Sequence, residues 1–480
     1  MATLSSPGVG SGLDVNSIVS QLMALERRPK TLLAQARSGL DAQLSAVGKM
    51  QGLTSAMRDA ANGLSSLSLW DRTTAVSQAP ESVSVSTGSG AASGNYSIGV
   101  QALASTQTLA SRAFATSAAD LGEGSLTIEL GRWGTDPPAF DAPEGATAMT
   151  ISFGPGETSL GAVRDRINAA GAGVSASIVN DANGARLALR SSTTGAENAF
   201  RITAVETIDD GDDANGLSAL AYDAAGGPSR MNRTQVASNA RATVNGIVVE
   251  SATNLLEGVA DGLNLRLLQP TDGVVEVSVS KDSAAVRDSV NTFVKSFNDL
   301  MMFIRDQTRY DPDSKSAGTL QGDRMATQLQ SQLRTALNQP SAASSVFSKL
   351  SDVGITMKAD GKLEVDSAKL ELGLGNLPEL KKLLRSDGAT SAGSGFVDRF
   401  KDLGDSALGS GGAFETRNAS LRSRVQRNTS SQEAIERRLS LTEARLRAQY
   451  QTLDAKMGQL SGLSSYVTQQ LSLLNRSDSR

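Results

Sequence analysis

The chain has 480 residues, 46 basic and 50 acidic, for a formal net charge of -4, and it contains neither cysteine nor histidine. A chain of this length is expected to form two to four domains. The two missing residue types exclude disulfides, thiolate and imidazole metal ligands, and catalytic triads that use either side chain. The balanced charge argues against a dedicated nucleic-acid-binding protein.

The residues near the N-terminus predict two helices. Val15, Ile18, Leu22 and Leu25 recur at spacings of 3, 4 and 3, the a/d spacing of a coiled-coil seam. Pro29 is expected to end or kink this first helix, because its ring clashes with the preceding turn and it has no N–H. A second amphipathic helix follows.

The middle of the chain, from about residue 83 to residue 281, alternates apolar and polar residues with the period of β-strands. One short helix is predicted at 160–170, and an acidic, glycine-rich loop at 207–230. Asn245-Gly246, between two apolar strands, is the strongest hairpin-turn signal in the chain.

From residue 283 the apolar spacing returns to that of helices. The seam at 286–304 predicts a helix that packs within its own chain, and another helix is expected at 322–338. A small β-unit follows at 353–365. The last helix is predicted from about Phe414 to Leu474, which makes it on the order of 90 Å long.

The last helix carries a partly polar heptad seam. Its spacing of 4, 3, 4, 3 and 4 is interrupted once before Met457, and such a stutter locally unwinds a left-handed supercoil. Helical arms at the chain ends have little of their own chain to bury against, except each other. We therefore expect the seams at 15–25 and 439–474 to contact other subunits. The seam residues of the last helix are Ile435, Leu439, Thr442, Leu446, Gln449, Leu453, Met457, Leu460, Ser464, Val467, Leu471 and Leu474.

Helical ends around a β-rich middle predict an α+β multidomain fold. It should consist of helical coiled-coil terminal arms and a helical leg, with nested, inserted β-rich head domains. We place the terminal coiled-coil or disordered arms at 1–40 and 440–480, the helical leg at 41–75 and 283–439, the β-rich head domain at 76–110 and 236–282, and the outer β-rich head domain at 111–235.

No motif in the sequence supports a catalytic, cofactor or metal site, so we expect neither enzymatic activity nor a cofactor. Gly8–Gly12 lacks the preceding strand and the lysine of a phosphate loop. The acidic cluster at 209–213 lacks the spacing and the closing glutamate of a calcium-binding loop. Between residues 415 and 450, eight arginines face four glutamates. This stretch is either the charged surface of a bundle or a surface that pairs with an acidic partner or a neighbouring subunit.

The chain ends also carry a family resemblance. The opening GVGSGLDVNSIVSQLMALERRP (8–29) and the ending LRAQYQTLDAKMGQLSGLSSYVTQQL (446–471) closely resemble the terminal signatures of flagellar cap proteins, also called hook-associated protein 2. Further stretches resemble this family in the same order, and one of them, 160–202, resembles a module shared by flagellar hook and filament proteins. These stretches are 94–111, 160–202, 242–268, 297–312 and 351–370.

The resemblance implies a capping protein at the distal end of the bacterial flagellar filament. Such a protein promotes folding and polymerisation of exported flagellin and prevents its leakage. The resemblance also implies secretion by the flagellar type III apparatus without a cleaved signal, with Met1–Ser11 as a disordered leader. No membrane insertion and no nucleic-acid partner are implied.

The implied partners are other copies of the chain in a ring, usually of five subunits, together with flagellin, the hook–filament junction protein, and a cytoplasmic export chaperone that binds the C-terminal helix. In such a ring, identical legs meet different neighbours, and weak, partly polar seams suit this. We expect the subunit or filament contacts at Ile18, Leu22, Leu25, Leu446, Leu453, Leu460, Val467 and Leu471.

Three alternatives remain open at this point. The chain could be a tip adhesin that binds mucin or host glycans through its head domains, which is compatible with a cap. It could be another axial protein, such as flagellin or a junction protein, although the terminal motifs argue against this. It could also be an enzyme with serine–lysine or carboxylate chemistry in the head.

Overall fold

The computed structural model describes residues 14–134, 139–145, 147–209, 211–313, 315–386, 388, 390 and 393–477. The chain divides into two compact units. The helical unit comprises the residues up to Leu69 and from Ser283 onward, and the β unit comprises Trp70–Asp282. Long helices from both chain ends pack together, and several small antiparallel sheets lie between them in sequence, so the predicted α+β fold class is confirmed. The finer four-part division stays a prediction.

The described helices are numbered in chain order. They are α1 (Val15–Glu26), α2 (Arg28–Ser65), α3 (Leu67–Asp71), α4 (Leu160–Ala170), α5 (Ser283–Thr308), α6 (Arg324–Asn338), α7 (Ser367–Leu374), α8 (Leu377–Leu384), α9 (Phe396–Leu408) and α10 (Ala413–Ser477).

The described strands are numbered in the same way. They are β1 (Thr73–Ser77), β2 (Val83–Thr87), β3 (Gly94–Ala102), β4 (Thr108–Ala110), β5 (Gly124–Trp133), β6 (Phe140–Asp141), β7 (Met149–Phe153), β8 (Val174–Asp181), β9 (Gly184–Ser191), β10 (Ala199–Glu206), β11 (Asn232–Gln235), β12 (Ala240–Val244), β13 (Ile247–Ser251), β14 (Leu255–Ala260), β15 (Leu263–Leu267), β16 (Val275–Lys281), β17 (Tyr310–Asp311), β18 (Ser316–Ala317), β19 (Ile355–Met357) and β20 (Leu363–Val365).

A short break separates α1 from α2. The carboxylate of Asp14 caps α1 by accepting a hydrogen bond of 2.9 Å from the backbone N–H of Ser17. Because α1 ends at Glu26 and α2 begins at Arg28, Pro29 falls in the first turn of α2, where its missing N–H removes no helical hydrogen bond. The predicted break is therefore present just before the proline.

α2 is the central element of the helical unit and packs against α5, α9 and α10. The seam predicted at 286–304 is buried within the chain, as expected. Its aromatic residues Phe293 and Phe297 meet Phe400 of α9, with ring centroids 5.2 and 5.7 Å apart. Three packed aromatic rings thus join α5 to α9 in the core of this unit.

The β unit has two hydrophobic cores. The first lies between a five-stranded sheet of order β1-β16-β3-β12-β13 and a three-stranded sheet of order β14-β15-β2, and contains Ile98, Val277 and Leu265. The second contains Phe200 and Leu187, which come from the sheets β10-β5-β6 (with β7 also on β5) and β11-β4-β9-β8, and it is covered by α4. Alternating strands thus bury one face each, as the sequence predicts.

The predicted hairpin turn joins β12 to β13. Asn245 and Gly246 have φ angles of 49° and 82°, which is the left-handed backbone that a two-residue type I′ turn requires. The Asn245 carboxamide oxygen also accepts a hydrogen bond of 2.9 Å from the backbone N–H of Ser97 on β3. The turn therefore fixes the register of three adjacent strands.

Candidate assembly surface

α10 is long enough to extend beyond the other helices of the helical unit. Its 65 residues span about 97 Å at 1.5 Å per residue. The first half is covered by α2, and Phe414 and Leu421 are fully buried there. The Asn428 carboxamide donates to the carbonyl of Leu33 at 3.1 Å, and Arg37 donates to the Thr429 hydroxyl at 2.6 Å.

α1 covers the next part of α10 through a small apolar core. Val15, Val19 and Met23 of α1 are buried against Leu439. Three partly buried residues of α10 complete this core, namely Ile435, Leu446 and Tyr450. The spacing of the α1 residues, four apart, places them on one face of a 3.6-residue helix.

Charged and polar pairs flank this core. Arg447 of α10 bonds the Asn16 side chain at 3.1 Å, and Arg27 lies 3.7 Å from Glu443. Lys30 pairs with Glu436. Because all of these residues are substantially exposed, the pairs set the register of α1 on α10 more than they stabilise it.

The predicted contact residues of α1 do not belong to that internal core. Of the 15–25 seam, only Val15 is fully buried against α10; Ile18 is half-buried, and Leu22 and Leu25 are 36% and 56% exposed. Leu32, at the start of α2, is 66% exposed and was not predicted. These side chains form an apolar flank of the α1–α2 arm (residues 15–32) that the described part of the chain leaves uncovered.

Beyond Tyr450 the predicted contact residues of α10 are exposed in the described chain. Leu453, Leu460, Val467 and Leu471 are 45%, 61%, 48% and 59% exposed, whereas Leu446 is half-buried under α1. Three further exposed apolar side chains lie on the same stretch: Met457, which was placed in the seam, and Leu463 and Tyr466, which were not. Leu474 lies outside the described side chains. We call residues 452–472 the apolar end of α10.

The apolar end of α10 is almost uncharged. Its 21 residues contain one aspartate and one lysine, Asp454 and Lys456. A helix on the surface of a protein normally buries its apolar stripe against the core and carries charged residues on the opposite face. A contiguous apolar surface that stays exposed marks an interaction site. Depletion of charge is also typical of the centre of a protein–protein interface. The stretch therefore has the composition of a helix that binds other helices.

The described residues contain no group of three or more acidic side chains placed to hold a metal ion. None of the helices in the described ranges is long and apolar enough to cross a membrane. A cleft of about 1260 Å³ in the described helical unit lies between α6, α9 and α10, and Asp323 and Arg417 lie at its wall.

Comparison with known proteins gives a consistent result. The family model for the flagellar hook-associated protein 2 C-terminus matches residues 237–462, the model for its N-terminus matches 11–107, and the flagellin hook IN motif matches 143–193. The last match overlaps the stretch 160–202, which resembles a module shared by hook and filament proteins.

Two full-length relatives are similar over the whole chain. Flagellar hook-associated protein 2 of Escherichia coli K12 is 31% identical over 503 residues, with all of both chains covered. B-type flagellar hook-associated protein 2 of Pseudomonas aeruginosa PAO1 is 30% identical over 490 residues, with 98% of each chain covered. The crystal structure of the flagellar cap protein FliD D1-D2-D3 domains from Escherichia coli matches with a TM-score of 0.59 at 28% identity, and covers 78% of this chain and 99% of that one.

Proposed function

The chain belongs to the flagellar hook-associated protein 2 family, the cap proteins of the flagellar filament, and from this membership we propose how its surfaces serve that role. It is a structural protein and not an enzyme. It acts outside the cell at the flagellum tip, where it associates with the filament.

We propose that the apolar end of α10 binds other molecules at the filament tip. The supporting observation is the row of apolar side chains at 453–471, which are 42–62% exposed although the stretch carries only two charges. A second helix, from another molecule, can cover this face.

The seam at this end is mixed rather than uniformly apolar. Ser464 interrupts the leucine and valine positions, and Gly458 and Gly462 remove side chains beside the seam. Contacts along such a seam can be exchanged at a modest cost in free energy, because no single position makes a large hydrophobic contact. This suits a ring of copies, five in the usual case, that must rest on a filament lattice of different symmetry.

Other copies of the chain and flagellin are the proposed partners of Ile18, Leu22, Leu25, Leu446, Leu453, Leu460, Val467 and Leu471. In the assembled cap, the exposed flank of α1 and the apolar end of α10 bind neighbouring legs or the filament. Before export, a chaperone that covers the apolar end of α10 would keep it from aggregating. The hook–filament junction protein is the proposed first platform, before flagellin is added.

Substituting Leu453 and Leu460 with Asp tests this proposal. Each change places a charge in the centre of an apolar contact, so cells that carry the double variant should grow no filaments and should release unpolymerised flagellin into the medium. Gln459→Asp with Gln470→Asp is the matched control, since it adds two charges to the same stretch outside the listed positions. Normal filaments from the leucine variant would refute the proposed contact surface.

For the adhesin alternative, the aromatic side chains of the described β unit are the relevant feature, because aromatic rings commonly stack on sugars. In the described β unit, the half-exposed Trp133 packs against Phe140 and Tyr222, with ring centroids 4.7 and 5.7 Å away, and Arg201 lies 4.8 Å over Phe140. These aromatic rings therefore already pack against one another. Binding of the intact protein to a mucin-coated surface remains the direct test, and assembly alone predicts none.

A further inference from the structure

α10 carries a second exposed surface on a different face from its apolar seam. All six of its residues are exposed, and they recur at spacings of 4, 3, 4, 3 and 4, so they form one line about 27 Å long on the helix. We call them the arginine row: Arg427, Ser431, Ala434, Arg438, Leu441 and Arg445.

The arginines of this row have no acidic partner among the described residues. Arg427 donates to the Ser423 hydroxyl at 2.7 Å. The glutamates of this stretch that form described ion pairs do so with other basic residues: Glu436 pairs with Lys30, and Glu443 pairs with Arg447 at 2.9 Å and lies 3.7 Å from Arg27. Leu441, in the middle of the row, is 73% exposed. The helix thus presents three positive charges around one uncovered leucine.

α5 carries a row of the same geometry with the opposite charge. Its six residues are also exposed and also recur at 4, 3, 4, 3 and 4. Two of its aspartates form ion pairs within the helix: Lys295 lies 3.5 Å from Asp299, and Arg309 lies 3.9 Å from Asp306. Both pairs are long and exposed, so they are weak. We call the six residues the aspartate row: Asp288, Thr292, Lys295, Asp299, Met302 and Asp306.

Placed side by side and parallel, the two rows match at every level. Each arginine meets an aspartate, and Leu441 meets Met302, which is 37% exposed. Ser431 meets Thr292. Lys295, the one basic residue of the aspartate row, meets Ala434 and so avoids a like charge. A shift by one heptad in either direction destroys this match, because it brings Lys295 opposite an arginine or Leu441.

Within one chain the two rows cannot contact each other, because they lie at different positions along the parallel axes of α5 and α10. The Gln51 and Asn418 side chains bond at 3.3 Å, and Lys49 lies 5.5 Å over the ring of Phe303. Phe303 of α5 and Asn418 of α10 are therefore level with the same turn of α2. Leu441 lies about 35 Å further along α10.

The direction of the two helices allows the contact between copies. Asn428 bonds the carbonyl of Leu33, so α10 runs antiparallel to α2. α5 also runs antiparallel to α2, because Phe303 lies beside Lys49 whereas Phe293 packs on α9 near Asp398, which accepts from Ser65. α5 and α10 are thus parallel in each copy.

We propose that the arginine row of one copy binds the aspartate row of a second copy. The contact displaces the two copies by about 35 Å along α10, so it is a stepped, head-to-tail contact and not the contact of a flat ring. It leaves the internal core of α1 on α10 and the apolar end of α10 untouched. It is therefore separate from the function proposed above, and it depends on salt because its charges are exposed.

The absence of cysteine makes cross-linking a direct test. Full-length Met302→Cys and Leu441→Cys proteins are purified separately, mixed and oxidised. A disulfide requires Cα atoms within about 7 Å, so the mixture should form a cross-linked dimer that neither protein forms alone. At about 1 M salt, where the Debye length falls to about 3 Å, the yield should drop several-fold. Circular dichroism checks that these surface variants are folded.

A register control completes the experiment. Lys295→Cys mixed with Leu441→Cys places the two sulfurs about 10 Å apart along the rows and should not cross-link, whereas Lys295→Cys with Ala434→Cys should. Equal yields from the matched and shifted mixtures would overturn the proposal.

Charge-reversal variants test the contact between the two rows independently of the cap function. Arg438→Asp on the Leu441→Cys protein should abolish the cross-link, and Asp299→Arg on the Met302→Cys protein should restore it. Failure to restore would mean that the register is wrong. Filament growth by the Arg438→Asp variant is measured independently, and its outcome bears on the cap and not on the cross-link.

Discussion

The Nη2 atom of Arg417 on α10 lies 2.7 Å from the Oδ2 atom of Asp323, whose side chain is 3% exposed. The other carboxylate oxygen of Asp323 accepts the backbone N–H groups of Met325 at 3.0 Å and Ala326 at 3.3 Å, and so caps α6. One carboxylate therefore fixes both the start of α6 and its place against α10.

Replacing Asp323 with Ala should lower the free energy of unfolding by about 2 to 4 kcal/mol, because it removes a helix cap and leaves the Arg417 guanidinium without its counter-charge. Urea unfolding measures this. Asp41→Ala is the control, since Asp41 pairs with Arg37 at 2.9 Å with both side chains exposed, and it should cost under about 1 kcal/mol. Equal losses for the two variants would contradict the role given to Asp323.

Phe400 should be among the most costly core positions of the helical unit. It is fully buried and touches two other phenylalanine rings, so Phe400→Ala should lower the free energy of unfolding by about 3 to 5 kcal/mol. Leu372→Ala, at a leucine that is 77% exposed, should change it by less than about 0.5 kcal/mol. A small effect at Phe400 would show that α9 does not contribute to the core of this unit.

The stability of the helical unit should depend on pH through Glu379. The Lys382 ammonium, the hydroxyl of Ser344 and the backbone N–H of Ser345 bond this carboxylate and lower its pKa from 4.5 to about 2. Because the folded-state pKa is lowered, the carboxylate stabilises the fold above about pH 4.5, and this contribution is lost as the pH falls towards 2.

The measurement is the unfolding midpoint against pH for the wild type and for Glu379→Gln. The wild type should be more stable at pH 6, and the difference should shrink between pH 4.5 and 2. Two curves that run parallel through this range would show that Glu379 titrates with its ordinary pKa.

Two glycines on α2 should be replaceable with a gain in stability. Gly48 and Gly52 lie on the exposed face of the helix, and a Cβ at either position would meet no atom within 4 Å. Ala at each should raise the free energy of unfolding by about 0.5 to 1 kcal/mol, because it restricts the unfolded chain and favours helix.

Gly404→Ala is the contrasting control for these substitutions. A Cβ at Gly404 would lie 2.7 Å from the Cβ of Arg58 on α2, so this change should destabilise the packing of α9 on α2. Stabilised Gly48 and Gly52 variants that nevertheless fail to support filament growth would indicate that another molecule approaches α2 closely in the cap. A loss of stability at either position would contradict the account.

Local signals predicted much of the fold. The Asn245-Gly246 turn, the helix at 160–170 and the extent of α10 follow from turn chemistry and apolar spacing, which act over few residues. β1 was not predicted. Its sequence Thr-Thr-Ala-Val-Ser has one large apolar side chain, and the strand forms because it pairs with β16, about 200 residues later.

The candidate surface could be predicted only in part, for a similar reason. The spacing of apolar residues from Val15 to Leu25 fits two faces of α1, and only the packing against Leu439 decides that Val15, Val19 and Met23 turn inward. The exposure of Leu453 and Leu460 likewise depends on where α1 begins. The aspartate row gives no local signal in the sequence, because residues of the apolar seam of the same helix separate its three acidic residues.

Restoring filament growth with added protein is the most direct test of the claim that the apolar end of α10 contacts other molecules at the filament tip. Purified full-length protein is added to cells that lack it and that already carry hooks, and filament length is measured. The account predicts growth with the wild-type chain and none with the Leu453→Asp, Leu460→Asp variant. Growth of equal length with both proteins would contradict it.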